Sequence, residues 1–142
     1  LPARYHIYPQ FQLKFVSIWG KTELAELMAL ATRYSLDPDF DSKNRMLVDL
    51  SDLKDAKATF RDVFALNGFY ERTFAAPDTP MSVAISAPTG LGYGLARMFS
   101  ALTSGKPLMH VEIFRSVSDA ATYLNIDLDK LKDTQNAQAK TL

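Results

Sequence analysis

Gly90-Leu91-Gly92-Tyr93-Gly94 follows a run of small and apolar residues, Met81-Ser82-Val83-Ala84-Ile85-Ser86, and opens a stretch with helical spacing. Glycines between a strand and a helix let backbone amides approach a phosphate at the helix start. The spacing is GxGxG, however, not the dinucleotide GxGxxG, and no Walker lysine follows. The pattern therefore assigns Gly90 to a tight turn, and Gly92 and Gly94 to close packing of the helix on a sheet. Tyr93 and Arg97 stand one helical turn apart on the outer side. They either offer an aromatic platform and a cation to an anionic ligand, or the ring simply covers the arginine stem. Ser86 sits at a strand end, where a nucleophile would be placed, but it has no evident base and no Gly-x-Ser-x-Gly elbow.

The remaining titratable patterns are weaker. His110 and Glu112 alternate on one strand face, and His6 is the only other histidine. Two ligands do not make a zinc site, which takes three or four. Asp37, Asp39 and Asp41 imitate the start of a calcium loop, but Pro38, Ser42 and Val48 occupy positions that such a loop cannot give up. The chain has no cysteine, which removes thiol catalysis, disulfides and thiolate metal sites together. No metal and no cofactor is implied by any of these motifs.

At 142 residues the chain has the size of one domain. Sixteen basic and sixteen acidic side chains cancel. A neutral chain has no global field to gather nucleic acid or an anionic membrane, so neither is expected as a partner. No apolar run approaches the roughly 18 residues of a membrane span, and residues 1–4 do not begin a signal peptide. A cytoplasmic location is the corresponding expectation.

These residues need elements to position them. Residues 5–19 read as two antiparallel strands around Pro9-Gln10, with Phe11, Leu13 and Phe15 alternating with Gln12 and Lys14. The parity shifts at Val16, which calls for a bulge or a strand covered on both faces. Thr22 is placed to cap a helix whose stripe is Leu24, Leu27, Met28, Ala31 and Tyr34. Met46-Leu47-Val48-Asp49-Leu50 reads as a central parallel strand. A second helix starts at Thr59, three residues before Asp62 in a capping-box arrangement. Its expected buried stripe is Phe60, Val63, Phe64, Tyr70 and Phe74, closed by Pro77; Leu66 and Phe69 fall off that stripe.

The helix after Gly90 faces Leu91, Leu95, Met98 and Leu102 inward and ends at Gly105-Lys106-Pro107. A strand over 108–114 and a helix over 116–125 follow. That helix is capped by Ser116 with Asp119 and buries Val117, Ala120, Ala121 and Leu124. Alternation of strand and helix implies an α/β fold. The expected architecture is a mixed, mostly parallel five-stranded sheet with an antiparallel N-terminal strand and four flanking helices. Residues 1–125 form the domain, and residues 126–142 a polar C-terminal tail in which Leu128 and Leu131 could dock a short helix.

Met46-Leu47-Val48-Asp49-Leu50-Ser51-Asp52, Val83-Ala84-Ile85-Ser86-Ala87-Pro88, Tyr93-Gly94-Leu95-Ala96-Arg97-Met98-Phe99 and Val111-Glu112-Ile113-Phe114-Arg115, with Ala120-Ala121-Thr122-Tyr123-Leu124, resemble the small bacterial SpoIIAA-like proteins, relatives of STAS domains. The resemblance covers roughly residues 5–125 and implies a sheet flanked by four helices. In STAS antagonists an Asp-Ser-Ser-Gly segment carries the phosphorylated serine. Laid from Asp49, that segment falls on Lys57-Ala58-Thr59-Phe60, so only Thr59 keeps a hydroxyl and the phosphoswitch does not carry over.

Together these readings describe a non-enzymatic regulatory or binding domain that engages a protein partner or a small apolar or anionic ligand. Phe69 with Leu66 would be the patch for a partner or a homodimer. The alternatives are a carrier of a small lipid-like molecule, with a cavity near residues 87–93 lined by Phe64 and Phe99, and an enzyme built on Tyr93 and Arg97. Gly90, Tyr93, Arg97 and Ser86 are the candidate ligand residues, and Thr59 the candidate phosphoacceptor.

Overall fold

A computed structural model describes residues 2–57, 59–73, 80–105 and 108–141. Strand β1 (Ala3–Tyr8) pairs antiparallel with β2 (Leu13–Ile18), from Ala3 opposite Ile18 to Tyr8 opposite Leu13. A single 3-10 turn at Pro9–Phe11 joins them, and Gln12 closes it in the left-handed region at φ 47°. From there the chain alternates β3 (Gly20–Glu23), α1 (Leu24–Ser35), β4 (Arg45–Asp49), β5 (Leu53–Lys57), α2 (Phe60–Thr73), β6 (Met81–Ser86), α3 (Gly90–Thr103), β7 (Met109–Phe114), α4 (Val117–Tyr123) and α5 (Leu128–Thr141).

The main sheet has the order β1-β2-β4-β6-β7, and every pairing after the first is parallel. The α/β class and the mixed five-stranded sheet are therefore as the alternation implies. The structure adds a second, two-stranded parallel sheet, β3 with β5. These two segments continue β2 and β4, which already lie side by side. Both strands break, at Gly20 (φ 63°) and at the turn after Leu50, and then pair again.

Helices cover both faces. Val16, Leu30, Met46, Val83, Ile85 and Ala96 belong to the cluster beneath α1, α2 and α3. Leu13, Leu47, Ala84, Ala120, Ala121 and Leu131 belong to the cluster beneath α4 and α5. The parity shift at Val16 is thus a strand covered on both faces, with no break in its register to β1 or β4. Arg45 ties the two ends of this construction: its guanidinium donates to the carbonyl of Phe11 at 2.5 Å and to that of Leu124.

Several local expectations are corrected. Thr22 does not cap α1; it lies buried in β3, its hydroxyl donating to Glu26 Oε2 at 3.3 Å. Glu23 is the cap residue, and its amide donates to the same carboxylate at 3.3 Å. On α2 the Thr59–Asp62 box forms in both directions, at 3.1 and 3.2 Å. The buried face of that helix is rotated, however: Val63 and Asn67 are buried, whereas Phe60 and Phe64 are 59% and 57% exposed and stack on each other. On α3 the buried residues are Gly92, Ala96 and Thr103, and Leu91 is exposed. The C-terminal helix α5, with Leu131 fully buried, is longer than the short docked helix expected there, running over Leu128–Thr141. Ala58, Phe74, Pro77, Lys106 and Pro107 lie outside the described residues.

Candidate functional site

Between the main sheet and helices α1–α3 the packing is incomplete. A cavity of about 130 Å³ is walled by β2 and β4 (Val16, Val48), by the small sheet (Thr22, Leu53, Ala56), and by the helices. The helical wall includes Leu27, Leu66, Tyr70, Leu95 and Phe99. Val48 sits in the middle of the central strand and yet is only partly buried, because its side chain faces this space. The wall is almost wholly aliphatic and aromatic. Thr22 is the buried hydroxyl, already donating to Glu26. Burial pushes the Tyr70 phenol up to about 12, so it is neutral at any ordinary pH. Glu23 also borders the space, its carboxylate accepting from the Glu26 amide; an apolar cavity near 150 Å³ takes up a benzene-sized molecule.

The cavity follows from how the elements meet. Strands β3 and β5 leave the main sheet together, and residues of α1, α2 and α3 stand around the space beside them. Leu66 is part of the cavity wall rather than of a surface patch. Phe69 is half-buried, with its ring edge-on to Tyr70 at 6.4 Å. The exposed apolar residues of α2 are Phe60 and Phe64. Phe99 lines the cavity as expected of a carrier, but Phe64 points away from it, and the space lies under the helices, not beside residues 87–93.

The other candidates separate. Ser86 is fully buried, and its Oγ has no hydrogen-bond partner, so it is closed off from any substrate. Thr59 is exposed, with its hydroxyl engaged by the Asp62 amide. Gly92 alone of the three clustered glycines serves packing: a Cβ there would meet Leu50 Cβ at 3.3 Å and Ala87 Cβ at 3.7 Å. A Cβ at Gly90 or Gly94 would meet nothing within 4 Å. Tyr93 and Arg97 do come together, with the guanidinium carbon 5.9 Å from the ring centre. Arg115, just past β7, stacks closer still, at 3.9 Å. Arg115 escaped the sequence reading because it is 22 positions from Tyr93 and is brought there only by the β7–α3 packing.

A polar cleft of about 360 Å³ lies at the other edge of the sheet, between Arg4, Tyr5, Arg33 and Asp37. Of its two carboxylates, Asp37 and Asp39, the first is already engaged: Asp37 takes the Tyr5 hydroxyl at 2.7 Å and the Asp39 amide at 2.9 Å. Those two bonds, the Asp39 amide foremost, hold its carboxyl below the usual range. Among the described residues no group of three or more His, Asp or Glu is arranged to hold a metal ion. His110 lies exposed, 3.3 Å from Glu112. No helix of the described chain is long and apolar enough to cross a membrane.

The sheet order, the helical layers and the cavity define an α/β domain with an internal apolar site. Comparison with family models, with curated proteins and with solved structures returns no match.

Proposed function

We propose that this is a binding domain for a small apolar molecule, held in the cavity between the sheet and α1–α3. The observation that carries this reading is the apolar space of about 130 Å³ between the main sheet and helices α1–α3. Its size suits a single ring or a short branched chain, well below the roughly 300 Å³ and more of pockets for drug-sized ligands. The polar residues facing it are neutral or paired, so the site offers shape and dispersion contacts and little that would catalyse a reaction. The mixed five-stranded sheet with helices on both faces is also of the kind that a SpoIIAA-like kinship implies, and that kinship remains part of the proposal.

The test is a thermal-shift series with benzene, indole and short alkanols. A ligand that binds only the folded state raises Tm as its concentration passes Kd. Benzene-sized probes are expected to raise Tm, and long-chain fatty acids to leave it unchanged. Val48→Phe, which fills the space from the central strand, is expected to abolish the shift. The reading fails if no apolar probe stabilises the wild-type protein, or if Val48→Phe responds as the wild type does.

A further inference from the structure

Two exposed arginines converge on one ring, and nothing in the fold accounts for them. The Arg115 guanidinium lies over the Tyr93 ring at 3.9 Å, and that of Arg97 approaches the same ring at 5.9 Å. Among the described residues neither guanidinium makes an ion pair or a side-chain hydrogen bond. Two like charges gathered at one ring repel each other, and the ring quadrupole offsets this only in part. In a chain of zero net charge this is a local positive spot, and among the described residues no carboxylate is ion-paired with either arginine.

The surface beside the pair has been cleared. Gly90, Tyr93, Gly94 and Arg97 recur at the three- and four-residue spacing that shares one helical face. Gly94 lies within α3, where glycine weakens a helix, and open space surrounds the position that its Cβ would take. Packing therefore gives no reason for it. The site also stands at the carboxyl ends of parallel strands β6 and β7, the edge of an α/β sheet where ligands collect.

We propose that Arg97 and Arg115, held on Tyr93 above the floor left by Gly90 and Gly94, bind a phosphate group carried by a small soluble molecule or by a lipid headgroup. Guanidinium forks match phosphate oxygens bidentately, which a single lysine cannot do. Arg97 and Arg115 are exposed, and neither they nor Tyr93 line the apolar cavity, which Leu95, Ala96 and Phe99 face, so the two sites are separate.

Inorganic pyrophosphate titrated into the full chain by calorimetry tests the soluble form, and sedimentation with phosphatidic acid vesicles, against phosphatidylcholine alone, tests the headgroup. Binding in either arm is expected, with Arg97→Gln and Arg115→Gln each weakening it at least tenfold. Gly94→Leu is expected to raise Tm yet lose binding, which separates a filled site from a damaged fold. Val48→Phe is expected to bind as the wild type does, so that this result stands apart from the apolar site. The proposal is overturned if neither probe binds, or if both arginine variants bind as the wild type does.

Discussion

Lys14 is the residue that a sequence reading was least able to place. Alternation with Leu13 and Phe15 sets it on the polar side of β2, yet it is 1% exposed, with its Nζ 3.8 Å above the Tyr34 ring. A strand pattern cannot say that α1 will cover its second face; that is decided by helices further along the chain. Desolvation pushes this amine down to about 7. The folded protein therefore holds fewer protons than the unfolded chain between pH 7 and about 10.5, and stability rises with pH through that window. Below pH 7 the full cost of the buried charge is present, reduced by the cation–π contact. Lys14→Met is expected to be more stable than wild type at pH 7 by about 1–3 kcal/mol. The difference should shrink as urea titrations are repeated toward pH 10. Above that, Tyr5 and Tyr70, raised to about 12 chiefly by burial, work the other way. The folded state keeps their protons longer than the unfolded chain does, so stability falls as pH climbs toward 12. Ser86 belongs to the same class of surprise. Its unpartnered Oγ makes Ser86→Ala neutral or stabilising, by up to about 1 kcal/mol in chemical denaturation.

At the scale of elements, the strands β1, β2, β4, β6 and β7 and all four expected helices could be read from apolar runs, caps and breakers. The phases of α2 and α3 could not. On α2 four aromatic residues compete for the inner face, and the structure buries the Val63–Asn67 side because it meets α1 and α3. Asn67 is tolerated inside because its amide donates to Glu71 at 3.3 Å. On α3 the inner face is marked by small residues beside Leu95 and Phe99, since Gly92 and Ala96 let the helix approach Leu50 and the sheet. Opposite outcomes are expected for two neighbouring substitutions. Gly94→Ala should stabilise by about 1 kcal/mol through helix propensity. Gly92→Ala should destabilise, since its Cβ would press on Leu50 Cβ at 3.3 Å with no flexible side-chain end to yield. Thermal melts of the two variants decide this. Strands β3 and β5 went unread because Gly20-Lys21-Thr22-Glu23 and Leu53-Lys54-Asp55-Ala56-Lys57 are short and charged. Their pairing is inherited from the strands before them, not signalled by their own pattern.

Across the whole molecule, the candidate site was the part least open to sequence reading, since a cavity is a failure of packing and leaves no motif. Its wall draws on residues from 16 to 109, most of which read as ordinary core. What the chain did reveal was Tyr93 with Arg97, because their spacing is local. The small sheet has a kinetic consequence. It is two strands wide, its register slips between Gly20 and Lys21, and it forms one wall of the hole. A two-stranded element of this kind is marginal by itself, so it should open far more often than the sheet it branches from. Deuterium uptake at residues 20–23 and 53–57 is expected to outrun that of β2, β4 and β6. Saturation with benzene should slow it selectively, because the occupied cavity must empty before that wall can part. The bend thus sets the residence time of whatever lies beneath it, in the manner of a door whose hinge is the break in two adjacent strands.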